Sequence, residues 1–441
     1  MTQGSEMRHI VMFSLPLLAG NLLQQTYNIV DTMVVGRYLG DDALAAVGAT
    51  GSITYLFYTL YIGLSVGAGI IAAQYFGAGN QKALKSAVFN SALVTAVFGI
   101  VISLLSVPAA GTVLRLLNVP QKLIAGSTAY MRIACGGTVA VAAYNWINAI
   151  MRALGDSKTP LIFLGAASIL NALLDLLFVV VFKFGIAGAA WATVLTQALS
   201  AISCIVYCFA VSGEIKLTHD DMHPDSSMMS RCVKTGVPIA IQNGLISVSM
   251  VALQRVTNGF GETVMAAYTV SIRIEQFVQQ PFSSLNAAVS TFTGQNIGAG
   301  KEKRAQKGLM CAIKISVIFS AVVLVLFAVF GSAITSWFVK GKTVIGISAK
   351  ALIITAFFYW SLGIIHTTRG FLNGAGDTNY ALVNGMAEVI CRIGLSLILT
   401  RIAFIGFWGI WYTTAATWFV TAMVSLIRYK GGKWKLHSIV K

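Results

Sequence analysis

Charged residues are scarce in this chain and make up only 10% of its 441 residues, whereas a soluble domain carries about 25%. Hydrophobic residues account for 56%. Apolar runs recur along the whole chain, and most exceed the roughly 18–20 residues that span a bilayer as a helix. The shortage of charge excludes an ordinary soluble domain and predicts an all-α integral membrane protein.

Motifs for covalent, metal or nucleotide chemistry are also missing. The six cysteines show no CxxC spacing, and there is no HExxH, P-loop, dinucleotide fingerprint or nucleophile–base pair. We therefore expect no enzymatic activity, no cofactor and no ATP-driven pump. The net charge of +16 comes from basic loops rather than from a basic soluble domain, so we expect no nucleic-acid partner.

The apolar segments predict twelve transmembrane helices. With the N-terminus inside, the inner segments together with the adjoining span ends hold 18 Lys and Arg residues, and the outer loops with theirs hold 9. This bias predicts that both termini are cytoplasmic, in a multi-pass plasma (inner) membrane protein. We expect a monomer surrounded by lipid. The predicted spans are 10–36, 50–74, 87–107, 123–152, 160–182, 186–210, 232–257, 264–292, 309–332, 345–372, 381–400 and 404–427.

An internal repeat organises the chain, because several short motifs recur at an offset of 221 or 222 residues. The repeat predicts an N-terminal six-helix lobe (1–211), a polar cytoplasmic linker (212–230) and a C-terminal six-helix lobe (231–441). Six is an even number, so both lobes enter the membrane from the same side and a pseudo-twofold axis runs along the membrane normal. The repeated pairs are Gln74–Lys82 with Gln295–Lys303, Gly155–Asp156 with Gly376–Asp377, and Pro16 with Pro238.

The first apolar segment carries an unusual polar stripe. Its four polar residues are spaced three, four and three apart and share one helical face. A carboxylate inside hydrocarbon is unfavourable by roughly 2.5–3.5 kcal/mol or more. Asp31 therefore marks a functional site, or it locks two helices together. The stripe consists of Asn21, Gln24, Asn28 and Asp31.

A second buried acid lies on the fifth predicted span, where Asp175 follows Asn171 by one helical turn. Counting at about 1.5 Å per residue places four polar side chains roughly 8–10 Å below the outer surface. Two neighbouring acids in a low dielectric favour proton uptake, and a site of oxygen atoms also suits Na⁺. The choice between H⁺ and Na⁺ stays open. The four residues are Asp31, Tyr130, Asp175 and Thr193.

The second half does not repeat this acidic site, because Asn171 maps to Arg392 and Asp175 maps to Ser396. Glu388 and Arg392 are four residues apart, which predicts a structural ion pair. The eighth span carries a polar group before Pro281 that either lines a cavity or forms a contact between the halves. That group consists of Arg273, Glu275, Gln276, Gln279 and Gln280.

The chain resembles the multidrug and toxic compound extrusion (MATE) transporters over essentially all twelve spans. The resemblance rests on Asp31–Gly36, the two Gly-Ala-Gly turns, Arg152–Pro160 and Ser271–Glu275 with Pro281. It implies a V-shaped pair of six-helix bundles and antiport of organic cations against H⁺ or Na⁺. It also implies that the first lobe binds the coupling ion, through Asp31, Tyr130, Asn171, Asp175 and Thr193.

The resemblance further implies that Pro16 is the kink of the first helix and that Asn145 and Asn148 are the family's asparagines on the fourth. Some members use a second-lobe Glu on helix seven and an Asp on helix ten. No carboxylate occurs in those spans here, so we expect no second-lobe cation site.

The leading hypothesis is a secondary active antiporter that exports organic cations or drugs by alternating access. A lipid-linked precursor flippase of the same superfamily is one alternative, and a channel or structural membrane protein is another. We predict hinges at Pro16, Pro238 and Pro281. The residues predicted to line the substrate cavity are Asn21, Gln24, Asn28, Asn145, Asn148, Gln276, Gln279 and Gln280.

Overall fold

The computed structural model describes residues 1–117, 119–211 and 215–440, and it is helical nearly throughout. Two short 3₁₀ turns flank the last helix, and a π-helical segment, Leu176–Val181, follows the sixth. The α-helices of the described residues are α1 (Glu6–Leu39), α2 (Asp41–Gly77), α3 (Gln81–Leu116), α4 (Gln121–Gly136), α5 (Thr138–Ala153), α6 (Lys158–Asp175), α7 (Ile186–Val211), α8 (Ser226–Asn258), α9 (Glu262–Gly298), α10 (Glu302–Ser336), α11 (Lys342–Phe357), α12 (Tyr359–Gly374), α13 (Asn379–Leu399) and α14 (Gly409–Lys430).

The helix boundaries repeat with the same offset as the sequence motifs. α2, α4 and α5 correspond to α9, α11 and α12, and both ends of each pair are 221 residues apart. The turns after α2 and α9 each contain a glycine in the left-handed region, Gly79 and Gly300, both at φ 70°. A side chain would strain this conformation, so glycine is needed there to end the helix.

The long helices expose apolar side chains instead of burying them. In the most apolar window of α10, only 22% of the residues are buried inside the protein, and the helix that begins at Lys158 buries 17%. Leu104 and Val329 are examples of large apolar side chains that are about two-thirds exposed. Water would disfavour so much apolar surface, so these helices face lipid.

Two predicted spans, 123–152 and 345–372, are each formed by two helices that meet at a bend. α4 and α5 meet at an angle of 46°, and α11 and α12 meet at 49°. At the first break Ser103 donates hydrogen bonds to the carbonyls of Cys135 and Gly136, and Thr138 also donates to the Cys135 carbonyl. These hydroxyls satisfy carbonyls that a bend leaves without helical partners.

With each bent pair counted as one span, ten segments of the described residues are long and apolar enough to cross a membrane. α1 and α9 are the other two predicted spans. They are long enough to cross, at 34 and 37 residues, but both carry several amide side chains that lower their mean hydropathy.

The described chain packs as two compact units, which we call the N-unit (Ala19–Ala240) and the C-unit (Met1–Leu18 with Ile241–Lys441). These units differ from the predicted lobes of 1–211 and 231–441 at their ends. The start of α1 packs with the C-unit and the start of α8 packs with the N-unit. Sequence duplication marks where a repeat begins, whereas packing decides which unit a helix segment joins.

In the predicted linker 212–230, Ser212–Glu214 lie outside the described residues. The residues that follow them form defined contacts. The last residues of the linker already belong to α8. Asp221 pairs with Lys85 of α3 at 2.9 Å, and hydrogen bonds from Thr218 and Lys85 lower the pKa of Asp221 to about 2. The Asn90 side chain accepts a hydrogen bond from the Asp225 amide at 2.7 Å. The linker is therefore anchored to the N-unit.

Candidate ion-binding site in the N-unit

An acidic pair lies inside the N-unit, where α1 contributes Asp31 and α6 contributes Asp175. The two carboxyl groups are within hydrogen-bonding reach of one another. Asp175 has no exposed surface. Three of the four carboxyl oxygens are buried without a hydrogen-bond donor: Oδ1 of Asp31 and both oxygens of Asp175. Carboxylates only accept hydrogen bonds, so a proton or a cation would satisfy these oxygen atoms.

Asn171 lies one turn before Asp175 on the same face of α6 and is 1% exposed. Its amide oxygen and its amide nitrogen are both buried without a partner. Buried polar atoms without partners are uncommon in folded proteins. Their concentration beside the acidic pair indicates a site built for a ligand that can satisfy oxygen atoms.

Hydroxyl groups complete the surroundings of the pair. The Tyr27 hydroxyl donates a hydrogen bond to Thr193 Oγ1 of α7 at 3.3 Å. Tyr27 and Tyr130 each lie close enough to both aspartates to interact with them electrostatically. The five residues predicted for ion coupling thus belong to one unit. Asp31, Asp175 and Tyr130 interact with one another, Thr193 joins them through Tyr27, and Asn171 lies one turn before Asp175.

The sequence reasoning missed two members of this cluster, Tyr27 and Tyr58. Tyr27 is four residues before Asp31, so the helical spacing that identified the polar stripe could also have found it. Tyr58 of α2 interacts with Tyr27 and Tyr130, and nothing in the local sequence of α2 distinguishes it from its neighbouring aromatic residues.

Four other polar residues predicted in the first half lie at the surface or on another helix. Gln24 and Asn28 are exposed. Asn145 and Asn148 lie on α5, beyond the bend that separates them from Tyr130 on α4, so they do not share its helix as predicted. The Asn145 amide donates to the Val141 carbonyl of its own helix at 2.8 Å.

In the C-unit the predicted polar group on α9 divides between two faces. Glu275 is buried, whereas Arg273 and Gln276 are exposed and Gln279 and Gln280 are half-buried. The Gln280 amide folds back onto the Gln276 carbonyl at 2.7 Å. Pro281 lies inside the helix without interrupting it.

The predicted pair of Glu388 and Arg392 is present on α13, with 2.7 Å between Oε1 and the guanidinium. Arg392 is 1% exposed. Its charge is therefore compensated inside the protein rather than by solvent.

Replacing Tyr27 with phenylalanine removes one hydroxyl from the acidic site without changing its shape. We expect a folded protein whose affinity for a cation at this site falls about tenfold, because one hydrogen bond near a charged group contributes roughly 1.5 kcal/mol. Titration of the purified protein with H⁺ and with Na⁺ measures this affinity. Tyr55→Phe, on the exposed surface of α2, is the matched control, and equal behaviour of the two variants would exclude a role for the Tyr27 hydroxyl.

Comparisons with known proteins agree with one another. The family model described as MatE matches the chain twice, over residues 16–177 and 238–398. The probable multidrug resistance protein YpnP of Bacillus subtilis is 29% identical over 440 residues, which cover 98% of this chain and 97% of that protein.

Solved structures share the fold. A MOP superfamily transporter from Pyrococcus furiosus superposes with a TM-score of 0.92 at 23% identity, covering 98% of both chains. A MATE structure in a bent conformation superposes with a TM-score of 0.91 at 24% identity, covering 98% of this chain and 97% of the other.

Proposed function

Because this chain belongs to the MATE family of membrane transporters, we propose that it is a secondary active antiporter exporting organic cations or other amphipathic drugs. The coupling ion is H⁺ or Na⁺ and binds in the N-unit. The transporter works in the plasma membrane with both termini cytoplasmic. Curated relatives such as YpnP carry the name of multidrug resistance proteins, which supports this substrate class.

The observation that carries the proposal is the acidic pair. Asp31 and Asp175 are close together, largely buried and short of hydrogen-bond donors. Ionising both at once is unfavourable in a low dielectric, so the pair gains most from binding a cation. The two carboxylates, the Asn171 amide and the Thr193 hydroxyl supply oxygen atoms that can bind either a proton or Na⁺.

Ion binding can drive transport only if it favours one conformation over another. α1 carries Asp31 in the N-unit while its first turns pack with the C-unit. Pro16 lies just before that transition, and Pro238 lies just before the corresponding transition in α8. We propose that both prolines act as hinges, since each removes one helical hydrogen bond; Pro281 is the third hinge candidate.

The substrate-contacting residues of this proposal are polar groups on three helices. In the N-unit they lie on α1 and α5, and in the C-unit they lie on α9. Amide side chains can accept hydrogen bonds from a cationic ligand without adding a fixed charge. The set is Asn21, Gln24, Asn28, Asn145, Asn148, Gln276, Gln279 and Gln280.

Purified protein in sealed vesicles tests the function directly. Ethidium, with an imposed pH gradient or an imposed Na⁺ gradient, should accumulate against its own gradient only when the coupling ion flows the opposite way. The gradient that drives accumulation identifies the ion. Ethidium movement that only follows its own gradient would indicate a channel, and no movement with any cationic dye under either gradient would contradict the proposal.

A further inference from the structure

A buried cluster of charges in the C-unit plays no part in the proposed ion site. Glu388 contacts Arg392 at 2.7 Å and Arg369 of α12 at 3.6 Å. Arg369 also donates to Asn384 Oδ1 at 2.7 Å. Glu388 therefore has two cationic partners.

Glu275 of α9 lies near this cluster and differs from Glu388 in its contacts. Its side chain is buried, at 7% exposure, and no cation in the described residues lies within salt-bridge distance of it. Glu275 and Arg392 both line a cavity of about 20 Å³, which is also lined by Met250, Tyr268 and Trp411. That volume suits one water molecule, so a single water can bridge the carboxyl group and the guanidinium.

Three further polar atoms near Glu275 are buried without a partner. They are Arg392 Nε, Trp411 Nε1 and the Tyr359 hydroxyl. Arg392 and Trp411 line the cavity, and Tyr359 interacts with Glu275. Arg392 already uses its terminal nitrogens on Glu388 and Met250. Donors are thus available around the cavity, whereas Glu275 has no ion pair of its own.

The charged and titratable groups that face Glu275 lie on three helices. α13 contributes Arg392, α12 contributes Tyr359, and α9 itself contributes Tyr268. The groups that α8, α11 and α14 place around it are uncharged: Met250, Thr355, Trp411 and Thr414.

The internal repeat allows the cluster to be compared with the corresponding positions of the first half. Arg392 occupies the position of Asn171 in the first half, and Glu275 occupies the position of Thr54. The first half therefore places an amide beside its acidic pair, whereas the second half places a fixed cation. With Glu275 ionised, the two glutamates balance Arg369 and Arg392; a proton on Glu275 leaves one positive charge unbalanced.

We propose that Glu275 is a second proton-binding group, in the C-unit, that takes up and releases one proton through the water-sized cavity with Arg392 as its fixed counter-charge. The step is a simple transfer in which water delivers a proton to the carboxylate and receives it back. This proposal extends the proposed ion-coupled transport, but it concerns a separate group in a separate unit.

The test counts protons on the purified protein and needs no transport. Glu275→Gln mimics the protonated side chain, and Glu388→Gln is the matched control, since both are buried glutamates near Arg392. We expect Glu275→Gln to bind one proton fewer than the wild type during acidification over the range in which both stay folded. Glu388→Gln should bind as many as the wild type and unfold at a lower temperature.

Infrared spectroscopy with isotope-labelled glutamate provides a second measurement that does not depend on the folding of Glu388→Gln. We expect a band from a protonated glutamate carboxyl group in the wild type at mildly acidic pH, above about 4.3 where ordinary glutamates titrate, and its absence from Glu275→Gln. An unchanged proton count in Glu275→Gln, or persistence of that band, would overturn the proposal. Asp31→Asn should keep the band, so failure of the N-unit mechanism and failure of this one are distinguishable.

Discussion

Replacing Asp31 with asparagine is expected to abolish ion-coupled export while leaving a folded protein. The substitution keeps the shape of the side chain and removes one of the two charges that face each other in the N-unit. A cation bound between the two carboxylates then loses one of its two partners, and losing one partner of a buried ion pair amounts to about 3–5 kcal/mol, on the order of 10²–10⁴-fold in ion affinity. Ethidium accumulation under an imposed ion gradient measures the loss. Asp175→Asn should behave in the same way.

Asp42→Asn is the matched control for this experiment. Asp42 is also an aspartate of the N-unit, but its side chain is 73% exposed and pairs with Lys122 at the surface. Exposed ion pairs contribute little, so we expect unchanged export. Gradient-driven export by Asp31→Asn at the wild-type rate would refute the ion-coupling role of the acidic pair, whatever Asp42→Asn does.

Replacing Gly374 with alanine is expected to destabilise the C-unit strongly. A Cβ atom on Gly374 would lie 2.3 Å from the Ser290 carbonyl oxygen, and one on Gly370 would lie 2.4 Å from the Asn286 carbonyl oxygen. α9 and α12 therefore pack backbone against backbone through these glycines. Overpacking of this kind typically amounts to about 1–3 kcal/mol, so thermal unfolding in detergent should occur at a clearly lower temperature.

Gly165→Ala is the control, because a Cβ atom at this helical position of α6 would have no neighbour within 4 Å. Alanine is the better helix former by up to about 1 kcal/mol, so the unfolding temperature should stay the same or rise. Unfolding of both variants at the wild-type temperature would contradict this prediction. It would mean that α9 and α12 can move apart enough to accept the added methyl group without loss of stability.

Much of the fold follows from patterns within single helices. The apolar runs predicted the helices and the membrane environment, and the offset of 221 residues predicted the repetition that the boundaries of α2 and α9 reproduce. The bends were not predicted, since α4 and α5 together form one apolar run of spanning length. Whether a run bends depends on neighbours such as Ser103, which supplies hydrogen bonds from another helix.

In the candidate ion site, too, some residues could be predicted from the sequence and others could not. Asp31 and Asp175 could be predicted because a carboxylate is costly in hydrocarbon wherever the helix packs. Tyr58 could not, since its approach to Tyr130 depends on how α2 packs against α4.

The sequence by itself determined that the chain is a duplicated helical membrane protein whose pair of aspartates within the spans occurs in the first half only, because hydrophobicity, charge and repetition are properties of residues in order. Only the tertiary structure decided that the start of α1 packs with the C-unit, and that Glu275 is buried while Arg273 on the same helix is exposed. Those outcomes depend on contacts between distant segments, which no local pattern encodes.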